Sequence, residues 1–481
     1  MLFNSFQFPI FFLVTTLIYF RLPLVGRWWL LLAASCYFYM AFIPVYILIL
    51  AFTIVVDYVA GILIERSEGR RRKLCLLLSI VANVGVLAIF KYLPFMNRNM
   101  AALYGALHLH WPVRDLSIVL PIGLSFHTFQ AMSYTIEVYY GRQKAERSFV
   151  LYALYVMFYP QLVAGPIERP QNLLPQLREL HRFDYDRVTD GLKLMLRGLF
   201  KKVVVADRLA VLVDAVYAAP HQHHGTALFL ATVFFAFQIY ADFSGYSDIA
   251  IGAAQVLGIR LMTNFRQPYF AADIAEFWSR WHISLSTWFR DYVYIPLGGN
   301  RVPQLRWYRN LLVTFLISGL WHGAAWTYVI WGGLNGVYLI VALVRRALWP
   351  QRQGDSPRGG GLLVRRLGTF LLICAAWVFF RARSVGDALY ILRHAIDLSG
   401  LLRPSLLLGP GGLTTSRSQL LGAFVVIAAL LGLDALAEKQ NVLVVIRRQP
   451  VWFRWAIYYG VGFAILLMGR FGAQQFIYFQ F

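Results

Sequence analysis

The chain has 481 residues, of which 59% are hydrophobic and 14% charged, and its mean hydropathy is +0.58. A soluble domain is about 45–50% apolar and about 25% charged, so this composition excludes an ordinary soluble enzyme, and 16% aromatic residues exclude a disordered chain. The net charge of +22 arises from 45 Lys+Arg against 23 Asp+Glu. These basic residues lie between apolar runs rather than in one patch, the pattern of cytoplasmic loops in a multispanning membrane protein and not of a nucleic-acid binder.

A membrane span needs about 20 mostly apolar residues. In chain order the candidate spans are 6–20, 28–42, 45–63, 74–93, 117–138, 148–164, 226–241, 243–259, 311–326, 327–344, 367–380, 419–436 and 455–469. The first run has no positively charged region before it and no small-residue cleavage site, and reads as an uncleaved first span. Arg21 and Arg27, then Arg66, Arg70, Arg71, Arg72 and Lys73, flank the first and third loops, which places both in the cytoplasm and the N-terminus outside.

At 148–164 the alternation breaks, because Arg142, Lys144 and Arg147 precede it and Arg169, Arg178 and Arg182 follow it. Both ends read as cytoplasmic, so Pro160, Gly165 and Pro166 are expected to turn a re-entrant segment, which requires protein or a cavity around it. From 186 to 217 the pattern is amphipathic. Leu192, Met195, Leu196, Leu199 and Val203 form one face and Lys193, Arg197 and Lys201 another, as in a helix lying in the cytoplasmic interface. Its role is anchoring to anionic lipid or docking a phosphate-rich cosubstrate.

Polar intruders in so apolar a chain are informative. Asp242, Ser244, Tyr246 and Asp248 interrupt what is otherwise a span, and buried carboxylates need partners. Arg280 and Arg290 are the expected partners, or the carboxylates orient a histidine. Of the ten histidines, His108, His110 and His181 fall in loops. His221, His223 and His224 form a loop cluster with no carboxylate or cysteine in sight, His394 is interfacial, and His127 is a packed residue.

Two histidines remain. His282 follows a capping-box pattern, Asp273 with Glu276, and is expected on the ensuing helix, on one face with Trp278, Trp281, Leu285 and Phe289. His322 lies about 12 residues into an apolar run, roughly mid-bilayer. There an ionisable residue is costly, and low dielectric keeps its ring neutral, as a general base requires. Each is either a packed, hydrogen-bonded histidine or a chemical group. Gly319, Gly323 and Ala324 leave room either for close helix packing or for a substrate.

The segment 351–361, QRQGDSPRGGG, reads as a flexible linker. Cys36, Cys75 and Cys374 have neither metal-ligand nor disulfide spacing, and no metal is expected. Phosphate-loop, Gly-x-Ser-x-Gly and haem motifs are absent from the sequence.

Several segments resemble the membrane-bound O-acyltransferase family, in the branch that O-acetylates alginate and related polysaccharides. They are Leu120-Pro-Ile-Gly-Leu-Ser-Phe126, Leu162-Val-Ala-Gly-Pro-Ile167, Tyr240-Ala-Asp-Phe-Ser-Gly-Tyr-Ser-Asp-Ile-Ala-Ile-Gly252, Phe277-Trp-Ser-Arg-Trp-His-Ile-Ser-Leu-Ser-Thr-Trp-Phe-Arg-Asp-Tyr292 and Gly319-Leu-Trp-His-Gly323. The resemblance implies an all-α polytopic membrane protein of about eleven transmembrane helices, with re-entrant and interfacial helices around a central tunnel. It implies one domain over 1–481, with a catalytic core at about 117–345 and C-terminal helices at about 367–481.

The family's catalytic histidine maps onto His322 and its second site position onto His282. Asp242, Ser244, Tyr246, Asp248, Arg280, Trp281 and Asp291 are the substrate-binding candidates. The implied reaction moves an acetyl group from a cytoplasmic thioester, acetyl-CoA or another carrier, to an exported polysaccharide across a bacterial inner membrane. No cofactor is bound, and the implied partners are membrane lipids, the thioester donor, the polysaccharide and a periplasmic or extracellular acetyltransferase. Transfer of D-alanine to teichoic acid and a non-catalytic subunit of a polymer exporter are the alternatives.

Overall fold

The computed structural model describes residues 1–114, 121–349, 359–402, 407–409, 411–440, 442–471 and 476–477. Residues 117–120 of one candidate span, with the Leu120 that opens one motif, and 351–358 of the linker lie outside the described residues. Among the described residues the protein is α-helical without strands. Seven helical stretches among these residues are long and apolar enough to cross a membrane. The outward faces of several helices expose large apolar side chains such as Leu48 (65%), Leu421 (65%) and Leu466 (71%). In water so extensive an apolar surface is a liability; against lipid tails it is the expected boundary of a polytopic membrane protein.

The chain divides into two compact units. The first comprises Met1–Met195 and Tyr246–Met262. Its helices include Gln7–Arg21, Leu24–Met40 and Ile47–Arg66, followed by Gly69–Leu87 and Leu93–Ala106 joined through a π-helical turn, and Leu124–Tyr139. Ile47–Arg66, Gly69–Leu87 and Leu124–Tyr139 pack on one another around a buried polar cluster. Asp57 there accepts from the Ser79 hydroxyl (2.6 Å) and the Asn83 amide (2.8 Å). His127 is a packed residue, 2.6 Å from the Thr53 hydroxyl through Nε2.

The segment 148–164 is broken, as its prolines and glycine lead one to expect. A nine-residue helix, Phe149–Met157, stops at Phe158, and one turn, Tyr159–Leu162, follows. Nine residues rise about 14 Å, half the hydrocarbon thickness of about 30 Å, so this segment does not cross as one helix. It is wholly buried from Leu151 to Ala164, which meets the condition for irregular backbone at membrane depth.

The second unit comprises Leu196–Gly245 and Thr263–Phe481. The expected spans 226–241 and 243–259 are one continuous helix, Gly225–Leu257. Its polar cluster does not break it, because backbone bonds within a helix are indifferent to buried side chains that find partners. The basic face expected from 193 to 201 is also corrected. Tyr185–Leu199 is helical, but a π-helical stretch, Phe200–Ala206, shifts the phase and buries Lys201 and Lys202. Lys201 sits 5.7 Å over the Tyr240 ring instead of facing lipid headgroups.

Helices Gln304–His322 and Trp326–Leu348 form an antiparallel hairpin. Glycines decide its closeness. A Cβ on Gly319 would fall 2.3 Å from the Tyr328 carbonyl, and one on Gly332 2.3 Å from the Phe315 carbonyl. The small residues here serve close packing. Backbone contacted so tightly cannot yield to a side chain, so Gly332→Leu should destabilise the protein by about 1–3 kcal/mol through overpacking; thermal unfolding in detergent checks this, and an unchanged midpoint would contradict the packing.

Candidate active site

The segment 273–294 carries the first histidine. Asp273 caps Ile274–Arg280 by accepting the Glu276 N–H (2.9 Å), and Glu276 in turn accepts the Ala272 N–H (2.7 Å). That helix lasts seven residues and a second, Ile283–Phe289, begins after it. His282 is therefore not on a continuous helix. It stands at the break in a left-handed conformation, φ +44° and ψ +55°. Such a conformation costs a non-glycine residue roughly 1–2 kcal/mol and persists where surroundings impose it. They do so here through Asn264, whose carbonyl accepts the Ile283 N–H (2.9 Å) and whose side-chain oxygen accepts from the Ser284 N–H (3.2 Å) and hydroxyl (2.7 Å).

The His282 ring is buried, at 1% exposure. It meets Phe243 edge-on at 4.6 Å and lies 6.5 Å from Phe265. Burial pushes its pKa down to about 3, so the ring is neutral at physiological pH. Nδ1 lies 3.3 Å from the Asn264 side-chain oxygen.

His322 is the last residue of Gln304–His322, at the tip of the hairpin and not within an unbroken span. Gly323 leaves the helix, and the Tyr328 ring fills the space a Cβ on it would need. The His322 ring is buried among Trp321 (4.9 Å), Trp331 (4.9 Å) and Phe380 (5.4 Å). One run of rings joins the two histidines: His322 to Trp331, Trp331 to Trp377 (5.8 Å), Trp377 to Trp281 (5.1 Å), Trp281 to Phe265 (5.1 Å) and Phe265 to His282. Trp281, 1% exposed, is thus a structural link between them.

A cavity of about 570 Å³ lies between the 275–294 segment and the hairpin. Its walls are largely apolar. On the first hairpin helix it touches Trp307, Leu311, Thr314, Phe315 and Ser318, a single helical face, and on the second Leu339, Ala342, Leu343 and Arg346. Trp307 to Ser318 spans about 16 Å at the helical rise. The cavity thus runs from the arginine-bearing end of the hairpin, with Arg290 and Arg346 in its wall, to one turn before His322.

The other candidates are distributed differently from expectation. Asp242 does not meet Arg280 or Arg290. It binds Lys202 Nζ (2.6 Å), which also binds Asp207 (2.9 Å), and it accepts the Ile477 N–H (2.8 Å). Arg280 pairs with Glu276 (2.6 Å) and Glu438 (2.7 Å), and the hydrogen bond to Glu438 leads in raising its pKa above the usual value. Arg290 pairs with its neighbour Asp291 (2.8 Å). Ser244 is buried in the second unit, and its hydroxyl makes no hydrogen bond among the described residues. Tyr246 and Asp248 are buried in the first unit, where Tyr246 packs on Phe3 at 4.5 Å.

The loop histidines also gain definition. His221 does have a carboxylate, Asp387 at 3.2 Å, and His223 lies 2.9 Å from the Gly412 carbonyl. Among the described residues no group of His, Cys, Asp and Glu is arranged to hold a metal.

Lys202, Asp207, Asn264 and Glu438 were not distinguished by sequence reasoning. Lys202 sits in a basic amphipathic stretch where it resembles a solvated lysine. Asn264 lies in an aperiodic connection where asparagine is unremarkable. Because Lys202 is the shared counter-ion of two buried carboxylates, Lys202→Met should cost about 3–5 kcal/mol and Asp242→Asn less. Thermal unfolding of the two variants in detergent reads the difference, and equal midpoints would show that Lys202 does not hold both carboxylates.

Comparison with known proteins agrees with this architecture. A model of the membrane-bound O-acyltransferase family matches residues 145–378. The chain is 36% identical over 410 residues to a peptidoglycan O-acetyltransferase of Helicobacter pylori, covering 80% of this chain and 76% of that protein. It is 40% identical over 394 residues to the probable alginate O-acetylase AlgI of Azotobacter vinelandii, covering 81% and 76%. A teichoic acid D-alanyltransferase of Bacillus subtilis is 26% identical over 273 residues, covering 54% and 66%. With two acetyl-transferring relatives aligned over about four fifths of its length and a fold of apolar helices to match, the chain belongs to the membrane-bound O-acyltransferase family and is a multi-pass membrane acyltransferase.

Proposed function

We propose that this acyltransferase moves an acetyl group from a cytoplasmic thioester, acetyl-CoA or another acyl carrier, through the membrane for O-acetylation of an exported polysaccharide such as alginate. The observation that carries the reading is two buried histidine rings joined by one aromatic run, with an apolar cavity that extends from a basic end to Ile283 and Ser318, next to and one turn before these histidines, though neither ring lines it. Arginine-bearing ends lie in the cytoplasm under the positive-inside rule, which sets the cavity's basic end where an anionic donor arrives. The same rule supports an N-terminus outside, and residence in the bacterial inner membrane is part of the same proposal.

In this mechanism His322 takes the proton of the acceptor hydroxyl while the hydroxyl oxygen attacks the thioester carbonyl. The C–S bond then breaks and the thiolate leaves with that proton. His282 holds the donor or the acceptor beside it. Ser244, buried and without a hydrogen-bond partner among the described residues, is suited to bind substrate. Asp242, Arg280 and Asp291 support the site through their ion pairs. Tyr246 and Asp248 are retained as substrate-binding candidates. The acetyl group emerges outside, to the polysaccharide itself or to a periplasmic or extracellular acetyltransferase partner.

Transfer of D-alanine to teichoic acid is the second reading, supported by a relative of that name at lower identity. A non-catalytic role in polymer export is the third. Purified protein supplied with radiolabelled acetyl and D-alanyl thioesters separates them. The expected result is acetyl transfer, lost at least 100-fold in His322→Ala with membrane insertion intact; wild-type turnover in that variant would overturn the assignment, and no transfer from either thioester would favour the exporter.

A further inference from the structure

Asn264 makes a contact whose direction can be deduced. Its side-chain oxygen lies 3.2 Å from the Ser284 backbone nitrogen. A backbone N–H only donates, so the amide atom facing it is the carbonyl oxygen and not the NH2. The same oxygen takes the Ser284 hydroxyl at 2.7 Å and faces His282 Nδ1 at 3.3 Å. A carbonyl oxygen only accepts, so Nδ1 is the protonated nitrogen of the ring. A neutral imidazole carries one N–H, and its other nitrogen, Nε2, is then an acceptor.

We infer that Asn264 is a positioning residue that locks His282 in the Nδ1–H form, so that toward a substrate its Nε2 can act only as a hydrogen-bond acceptor. This rests on the reading of His282 as a site residue and sharpens it. An acceptor nitrogen cannot polarise a thioester carbonyl, which needs a donor. What His282 contacts on a substrate is therefore an O–H or N–H other than the reacting hydroxyl, whose single proton goes to His322: a second hydroxyl of the acceptor or an N–H of the donor. The geometry supports one further point. Asn264 clamps both sides of the left-handed residue, through its own carbonyl to Ile283 and its side chain to Ser284, so tautomer and backbone strain are held by the same side chain.

Three variants and a control test this in the purified enzyme. Asn264→Leu keeps the volume and removes the acceptor; kcat should fall about 10–100-fold, by analogy with loss of the hydrogen-bond partner that orients a metal-bound histidine. Ser284→Ala breaks only the hydroxyl contact and should stay within about threefold of wild type. Asn264→Asp keeps an acceptor and adds a negative charge beside the ring, which favours the imidazolium; it should retain transfer near its optimum and move the acid limb of the rate profile to higher pH.

The charged groups on the elements around the ring include Asp248 and Asp242, the latter held by Lys202, on the helix of Phe243; the exposed Arg266 beside Phe265; and Arg280, held by Glu276 and Glu438. None is altered, so the shift reports the new carboxylate. A role confined to folding predicts no such shift. Should Asn264→Leu fail to accumulate, the Asn264→Asp profile still decides. Unshifted Asn264→Asp, or wild-type kcat in Asn264→Leu, overturns the inference. His282→Ala is the control: if it turns over like wild type, the reading of His282 itself falls, whereas an inactive His282→Ala with a fully active Asn264→Leu removes only the role of Asn264.

Discussion

A polar group taken out of water must be satisfied inside the protein, and in a membrane there is no solvent to relax that demand. This requirement arranges the charges of the chain. Lys202 lies between Asp207 and Asp242, and Asp242 also takes a backbone N–H from Ile477, so one buried ammonium ties two helices and a C-terminal segment together. Arg280 is held between two glutamates on different helices. In the first unit Asp57 is met by neutral donors alone among the described residues.

Freed from charge, the surroundings of the two histidines are built from rings and glycines. Aromatic side chains fill volume without adding polar demands at most of their surface, and a run of them joins His282 to His322 within one unit. Glycines at 319, 323 and 332 let the hairpin close until backbone touches backbone or ring. The hairpin tip then holds His322 rigidly at the end of a helix. The rest of that face borders the apolar cavity. Strain is concentrated at one point, the left-handed His282, and Asn264 offsets it with three hydrogen bonds into the same turn.

Much of this was legible from residues. Runs of apolar side chains announce helices in lipid because only a helix satisfies its own backbone there. The prolines and glycine of 160–166 announced a broken segment, and Asp273 with Glu276 announced a helix start. The rarity of polar residues made His282, His322, Asp242 and Ser244 visible. Misreadings arose where periodicity was assumed to continue. Trp281-His282-Ile283 has no proline or glycine to mark the end of a helix, yet the helix ends there, because the tertiary contact with Asn264 outweighs local propensity. Lys201 fits the basic stripe of Lys193 and Arg197 until a π-helical turn places it inward.

The sequence by itself determined the class of protein and the presence of its apolar helices, and it singled out two histidines in apolar settings, because those follow from composition and from residue types that are expensive in lipid. Which carboxylate meets which cation was decided only by the tertiary structure, since Lys202 and Asp242 are 40 positions apart, and Arg280 and Glu438 are 158 apart. Tertiary structure likewise decided that the glycines of the hairpin serve close packing, and that His282 is turned and held by Asn264. Pairings of that kind depend on distances across the fold, for which a one-dimensional pattern carries no record.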